Sequence, residues 1–299
     1  MKNARAELAL VGVTIIWGTT FVVVKSALAE VSTWLFLALR FSVAALALMV
    51  IYRQAIRRRN LPGGILAGCM LFTAYVFQTL GLELTTPSKS AFITGLSIPM
   101  VPLLGSLVYR IRPRLLEVTG VLIASFGMAL MTLPPGKLDI SRGDFLTLLC
   151  ALTFALHIVI TGHFAPLYGF APLAVTQTAV AAALGIGSFW FAEPLRFHLT
   201  AVVAGAVVTT GLLATAVAFT TMAWAQQYTS PTRTALIFAL EPVVAWFTSY
   251  MLTGDVLSNR AKIGAGLILG GILLVEVKRA APQSQRQHEY ISSPEEQSQ

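Results

Sequence analysis

Arg40 and Glu241 stand where water should be scarce. At 1.5 Å rise per helical residue, Arg40 lies about 15 Å from Glu30 and about 20 Å from Arg53, the nearest charges on either side of its apolar run. Glu241 lies about 12 Å from Arg233 and about 21 Å from Asp255. A guanidinium at such a depth costs at least about 2.5 kcal/mol to insert, so it faces a partner or a cavity rather than lipid. Two chemistries are open to it: a structural ion pair, or recognition of an anionic group on a solute. Glu241 can neutralise Arg40, bind a cation, or exchange a proton.

Other polar residues share these runs. Lys89 and Arg233 each follow a proline by two positions, in Pro87-Ser88-Lys89 and Pro231-Thr232-Arg233, near enough to a helix start for their heads to reach the interface. His157 and Gln177 lie inside apolar runs and can either line a cavity or bond across a helix interface. Trp17, Thr20, Tyr75 and Gln78 are candidate walls, although membrane aromatics more often serve packing. Pro99, Pro102 and Pro242 interrupt two runs near mid-depth, and a proline removes one helical hydrogen bond and frees carbonyls to line a cavity.

The elements that must hold these residues are apolar helices. Only 11% of the 299 residues are charged and 56% are hydrophobic, against roughly 25% charged in soluble domains. Mean hydropathy is +0.75. Ten apolar runs span residues 7–26, 33–52, 63–83, 87–109, 115–133, 144–163, 172–192, 201–225, 231–253 and 260–277. Each is long enough to cross a hydrocarbon core of roughly 30 Å, and none has the period-two pattern of a barrel strand. Backbone groups in lipid must be satisfied within the segment, so the predicted fold is an all-α integral membrane protein of ten transmembrane helices.

The runs come in two sets of five. Thr85-Thr86-Pro87-Ser88-Lys89-Ser90-Ala91 returns 144 positions later as Thr229-Ser230-Pro231-Thr232-Arg233-Thr234-Ala235, and the same offset relates Gly120 to Gly264 and Gly127 to Gly271. The opening helices align at 137 positions: Trp17 with Phe154, Thr20 with His157, Arg40 with Gln177. An insertion around Glu193–Leu199 absorbs the change of offset. An odd number of helices per copy makes the second copy enter the membrane from the opposite side, giving inverted repeats over 1–143 and 144–279. Residues 280–299 form a polar tail expected to be disordered in the cytoplasm.

Charge sets the orientation and removes other classes. Lys and Arg total 21 against 13 Asp and Glu, for a net charge of +8. They gather in the loops around Arg53, Arg57, Arg58 and Arg59 and around Arg110, Arg112 and Arg114, so the positive-inside rule puts both termini in the cytoplasm. The Arg57–Arg59 run is a topology signal rather than a nucleic-acid patch. Cys69 and Cys150 sit inside apolar runs and supply neither a disulfide framework nor metal spacing. No cofactor motif is present. Gly95-Leu96-Ser97 lacks the glycine that follows a serine nucleophile, and no His-Glu-x-x-His occurs, so an intramembrane enzyme or a channel is the minor alternative.

Trp17-Gly18-Thr19-Thr20-Phe21, Leu39-Arg40-Phe41 with Ala44, Ala91 to Leu104 with Pro99, and Leu240-Glu241-Pro242-Val243-Val244-Ala245 resemble the EamA branch of the drug/metabolite transporter superfamily, over roughly residues 7–277. Thr20 stands where members often carry Asn, and Tyr109-Arg110 where an acidic residue is usual. The resemblance implies a secondary transporter of the inner membrane, with an exporter of small organic metabolites or amino acids as the expected activity. Arg40 and Arg233 suit a carboxylate-bearing solute, and Glu241 offers proton coupling. Glycine spacing on the fifth and tenth helices fits tight packing within one chain or a homodimer.

Overall fold

The structure is a computed structural model that describes residues 2–55, 61–85, 87–110, 114–132, 141–241, 243–244, 247 and 258–277. The Arg57–Arg59 run, residues 133–140, Pro242, Asp255 and the 280–299 tail lie outside the described residues, as does the side chain of Lys89. Among the described residues the chain is helical apart from one isolated bridge between Val31 and Phe197. The helices are α1 (Lys2–Ala27), α2 (Thr33–Tyr52), α3 (Leu61–Leu84), α4 (Pro87–Gly95), α5 (Ser97–Tyr109), α6 (Leu115–Thr132), α7 (Arg142–Tyr168), α8 (Phe170–Ala192), α9 (Ala201–Gly211), α10 (Ala218–Ala225), α11 (Pro231–Phe238) and α12 (Asn259–Val277). A π-helical stretch, Leu212–Val217, joins α9 to α10.

Seven of the described helices are long and apolar enough to cross a membrane, with α4 and α5 counted as one span and α9 to α10 as another. Outward faces of the described helices carry large apolar side chains such as Leu46, Val50, Leu107, Leu122 and Leu273, all exposed. In water that surface would be a liability; in lipid it is solvated. This is a multi-pass membrane protein.

Helix starts follow local chemistry. Ser141 accepts from the Asp144 amide at 3.2 Å and the Ser141 amide donates to Asp144 Oδ2 at 2.7 Å, a reciprocal box that begins α7. Thr200 caps α9 through the Val203 amide, and Ser230 caps α11 through the Arg233 amide with Pro231 at the first turn. Gly169, at φ 80°, makes the corner between α7 and α8 that a side chain would strain.

Glycines set the close approaches. A Cβ on Gly127 would lie 2.6 Å from the Gly264 carbonyl oxygen, and one on Gly120 would lie 2.7 Å from that of Gly271. The lower-numbered glycine of α6 thus meets the higher-numbered glycine of α12, so the two helices run antiparallel. Gly68 of α3 backs onto the Gln177 carbonyl of α8, and Gly81 meets Gly143 of α7. Gly266 and Gly270 have nothing within 4 Å, so their spacing, which suggests a packing face, serves none within the described chain.

Two spans are interrupted near the prolines that mark them in the sequence. The fourth breaks at Leu96, whose amide donates to Ile93 O at 3.0 Å, and the ninth breaks at Ala239–Leu240, where the Leu240 amide donates to Ile237 O at 3.0 Å. The last helical residue before each break stands four residues before a proline, Gly95 for Pro99 and Phe238 for Pro242, where a proline ring would strike the helical carbonyl. Pro102 corrects the expectation: it lies inside α5, which runs unbroken from Ser97 to Tyr109. With the helix already restarted at Ser97, Pro102 forfeits a hydrogen bond without ending it.

Outside the bundle, the inserted segment after α8 straps the α1–α2 loop. Ser32 N donates to Arg196 O at 2.8 Å, His198 N to Glu30 O at 2.9 Å, and Arg196 Nη2 to Leu28 O at 2.8 Å. Trp34 N donates to Glu193 Oε1 at 2.6 Å. Burial pushes the Glu193 carboxyl above its usual range, with nearby Glu83 adding to the rise, while the Trp34 amide and Arg196 oppose it.

Candidate functional site

The interrupted spans meet at a cavity of about 790 Å³ of atom-free space, mouth included. α1 supplies Trp17, Thr20, Phe21 and Val24, α2 supplies Arg40, and α3 supplies Tyr75, Gln78, Thr79 and Leu82. Thr94, Gly95, Ser97 and Ile98 enter at the α4–α5 break, Phe154, His157 and Ile158 from α7, Phe219 and Met222 from α10, and Phe238 with Glu241 at the α11 break. The lining follows α1 and α3 towards the bundle end where α1 stops; Ile158 and Met222 bound it on the other side.

Arg40 is 3% exposed and held by three acceptors. Its Nε donates to Thr215 Oγ1 at 2.8 Å, and Nη2 donates to the Tyr75 hydroxyl at 3.0 Å and, at the limit of 3.5 Å, to the Ala214 carbonyl. The guanidinium carbon sits 4.2 Å from the Tyr75 ring centroid, in cation–π range. The π-helical stretch makes this possible. Ala218 N donates to Leu213 O, five residues back, instead of to Ala214 O, and the released carbonyl accepts from Arg40 and from Trp17 Nε1 at 2.9 Å. Widened turns of this kind occur frequently at functional sites because they re-aim backbone groups.

Glu241 lines the same cavity but does not pair with Arg40. Among the described residues its carboxylate has no hydrogen bond and no ion pair. Its helical neighbours at the break leave it at a chain corner, and Gly18 lets α1 approach its carbonyl: a Cβ there would lie 3.2 Å from Glu241 O. The two ionisable groups therefore share a chamber while Arg40 spends its Nε and Nη2 donors on protein acceptors.

Aromatic rings wall the chamber. Trp17 lies 5.2 Å from Phe219 and 4.9 Å from Phe238, Tyr75 lies 5.2 Å from Phe154 and 6.1 Å from Phe219, between ring centroids. These distances suit edge-to-face and tilted contacts. His157 packs edge-on to Phe219 at 5.4 Å, and its Nε2 contacts Gln177 Oε1 at 2.8 Å. Gln177 is thus a second layer behind His157 rather than part of the wall. Gln78 reaches Thr94 Oγ1 at 3.4 Å.

Of the residues singled out from sequence, the structure brings Arg40, Glu241, Trp17, Thr20, Tyr75, Gln78 and His157 together. It places Arg233 away from them, at the start of α11, where Nη1 lies 3.6 Å from Glu7 Oε1. Pro99 and Pro102 belong to α5 beyond the break. Sequence reading missed Thr215 and the Ala214 carbonyl, for which no motif exists. It also missed Phe219, although Phe219 stands 144 positions after Tyr75 and the repeat could have pointed to it. Among the described residues no cluster of His, Cys, Asp or Glu could hold a metal ion.

Comparison with known proteins decides the family. The profile described as the EamA-like transporter family matches residues 4–133 and again 141–277. The chain belongs to the EamA-like transporter family. An uncharacterized transporter of Archaeoglobus fulgidus is 31% identical over 278 residues, covering 93% of this chain and 88% of its own. The uncharacterized transporter YyaM of Bacillus subtilis is 25% identical over 292 residues, covering 91% and 94%. A crystal structure at 19% identity superposes with a TM-score of 0.78 over 92% of this chain and 97% of that one, which shares the fold. Membership in this family points to transport rather than catalysis.

Proposed function

We propose that the chain is a secondary transporter that exports small organic metabolites or amino acids by alternating access, with Arg40 and Glu241 as the charged groups of the solute site. The observation that carries this reading is the central chamber itself: walled by aromatics, it holds an anchored cation and a carboxyl group with no partner among the described residues. Arg40 offers its remaining donors to a solute carboxylate; Glu241 receives an amine or carries a proton. Trp17, Thr20, Tyr75, Gln78 and His157 shape the pocket, and Gln177 orients His157. Lys89 and Arg233 act at the mouths rather than at the centre.

The same reading takes the chain as ten helices in two inverted five-helix repeats. Support comes from the breaks at Leu96 and Leu240, 144 positions apart, and from the crossed glycine contacts of α6 and α12. The aromatic centre supports it too: Trp17 packs on Phe219, while their counterparts Phe154 and Tyr75 pack on each other. Those glycines are used within one chain, which favours a monomer. The basic loops orient both termini to the cytoplasm of an inner membrane.

The experiment is flux in liposomes of the purified full chain, using a panel of radiolabelled amino acids and organic acids. Saturable, competable movement of an unaltered solute is expected, stimulated by an imposed proton gradient. Arg40→Ala and Glu241→Gln should each reduce flux at least about tenfold with folded protein retained. Chemical conversion of a solute, or full flux in both variants, would overturn the reading.

A further inference from the structure

The cavity runs towards one end of the bundle, and the other end is closed by the wrong kind of wall. Below Ile158 and Met222, Gln226 follows directly on the end of α10 and is 2% exposed. Its Nε2 donates to Ile158 O at 3.0 Å, while its Oε1 has no partner among the described residues. Gln227 Nε2 donates to Ala165 O at 3.2 Å. Thr229 Oγ1 is buried and likewise without a partner among the described residues. Further out, Arg233 faces Glu7 at 3.6 Å, both side chains only 14% exposed.

A permanent barrier in a membrane protein is cheapest in apolar side chains, because a buried donor or acceptor left unmet costs desolvation with nothing in return. Here a file of polar groups leads from the cavity floor to the bundle end, with acceptors unmet along it. Such groups are accounted for if another state of the protein wets them. The opposite end gives the comparison. Leu82 and Thr85 stand 144 positions before Gln226 and Thr229; Leu82 lines the cavity, and Lys25 Nζ takes the backbone carbonyls of Leu82, Glu83 and Thr85. Each end of the bundle is thus fastened by a long polar side chain on helix carbonyls, bonds that water can replace.

The seam at the closed end is also built to part. Gly162 of α7 faces the α10–α11 corner: a Cβ there would lie 2.5 Å from Pro231 Cγ and 3.5 Å from Gln226 Nε2. At that point α7 presents backbone rather than a side chain to the corner.

We infer that this end is the second mouth of the transport path, held shut by a polar gate made of the Gln226 amide on the Ile158 carbonyl and the Glu7–Arg233 ion pair. The inference rests on the alternating-access reading of the central site. When α10 and α11 swing from α7 and α1, Gln226, Thr229, Glu7 and Arg233 line the opened path and water satisfies them.

Thiol accessibility tests this without a solute. The full chain, with Cys69→Ala and Cys150→Ala, carries Thr229→Cys in sealed vesicles of the two opposite orientations, and a membrane-impermeant maleimide is added outside. Thr229→Cys should label from the side where α1 begins, about tenfold faster when Glu7→Gln is added, because loss of a half-buried ion pair shifts the gate towards open. Ala174→Cys, buried outside the path, serves as the baseline and stays unlabelled. Should Glu7→Gln fail to fold, Gln226→Ala provides the same release. Labelling of Thr229→Cys no faster than Ala174→Cys in either background, or from the opposite side only, overturns the gate. Labelling without flux of any solute would overturn the transport reading and leave the gate standing; saturable flux without labelling would overturn the gate alone.

Discussion

Thr215 fixes Arg40. Its hydroxyl accepts from Arg40 Nε at 2.8 Å and donates to Thr210 O, five residues back, at 2.8 Å. One side chain thereby ties the guanidinium of α2 to the widened turn between α9 and α10. Thr215→Val keeps the shape and removes both bonds, leaving a charged donor unmet at a cost of about 1 to 3 kcal/mol. Liposome flux should fall at least about tenfold, and Thr215→Ser should restore most of it. Equal flux in the Val and Ser variants would show that Arg40 is held without this hydroxyl.

Arg40→Lys should behave like a loss rather than a conservative change. An ammonium cannot reach Thr215 and Tyr75 together in the planar fork that the guanidinium uses. Flux within about twofold of the parent would mean that charge alone matters at this site.

The glycine contacts of α6 and α12 predict a position-specific effect on stability. Gly127→Val places branched carbons against the Gly264 carbonyl, and overpacking of this kind costs about 1 to 3 kcal/mol. Gly266→Ala and Gly270→Ala meet open space and should be neutral. Thermal unfolding in detergent, monitored by intrinsic fluorescence, checks the contrast; equal melting of all three variants would contradict the packing.

Much of this was legible beforehand because membrane insertion makes charge conspicuous. Arg40 and Glu241 stood out by depth, and both do reach one chamber. The apolar runs gave the helices. What could not be read is what depends on backbone hydrogen-bond choice. Leu212-Leu213-Ala214-Thr215-Ala216-Val217 has ordinary helix-compatible composition, and no residue in it announces an i→i−5 pattern. The pairing of Arg233 with Glu7 instead of with the site was equally hidden, since helix order in a sequence does not say which ends meet. Pro102 shows the converse: a proline was visible, yet its effect depended on where the helix had restarted.

The strap makes a pH prediction. With the Glu193 carboxyl raised by burial, its protonated form is favoured in the folded state, so stability is fullest at low pH and declines as pH rises from about 4.5 through the raised value. Glu193→Gln should flatten that decline in a melting-temperature series between about pH 4 and 8. A wild-type series already flat over this window, or one rising with pH, would contradict the assignment.

The widened turn at Leu212–Val217 also has a mechanical consequence. Each residue of an α-helix advances the direction of its side chain by about 100°, so a turn carrying an extra residue resets the phase between the stretches before and after it. α9 lies against α2 and α1, whereas α10 lies against α1 and α8. A single continuous span is thereby fitted to two sets of neighbours, like a shaft with a coupling in it, and its two segments need not turn together.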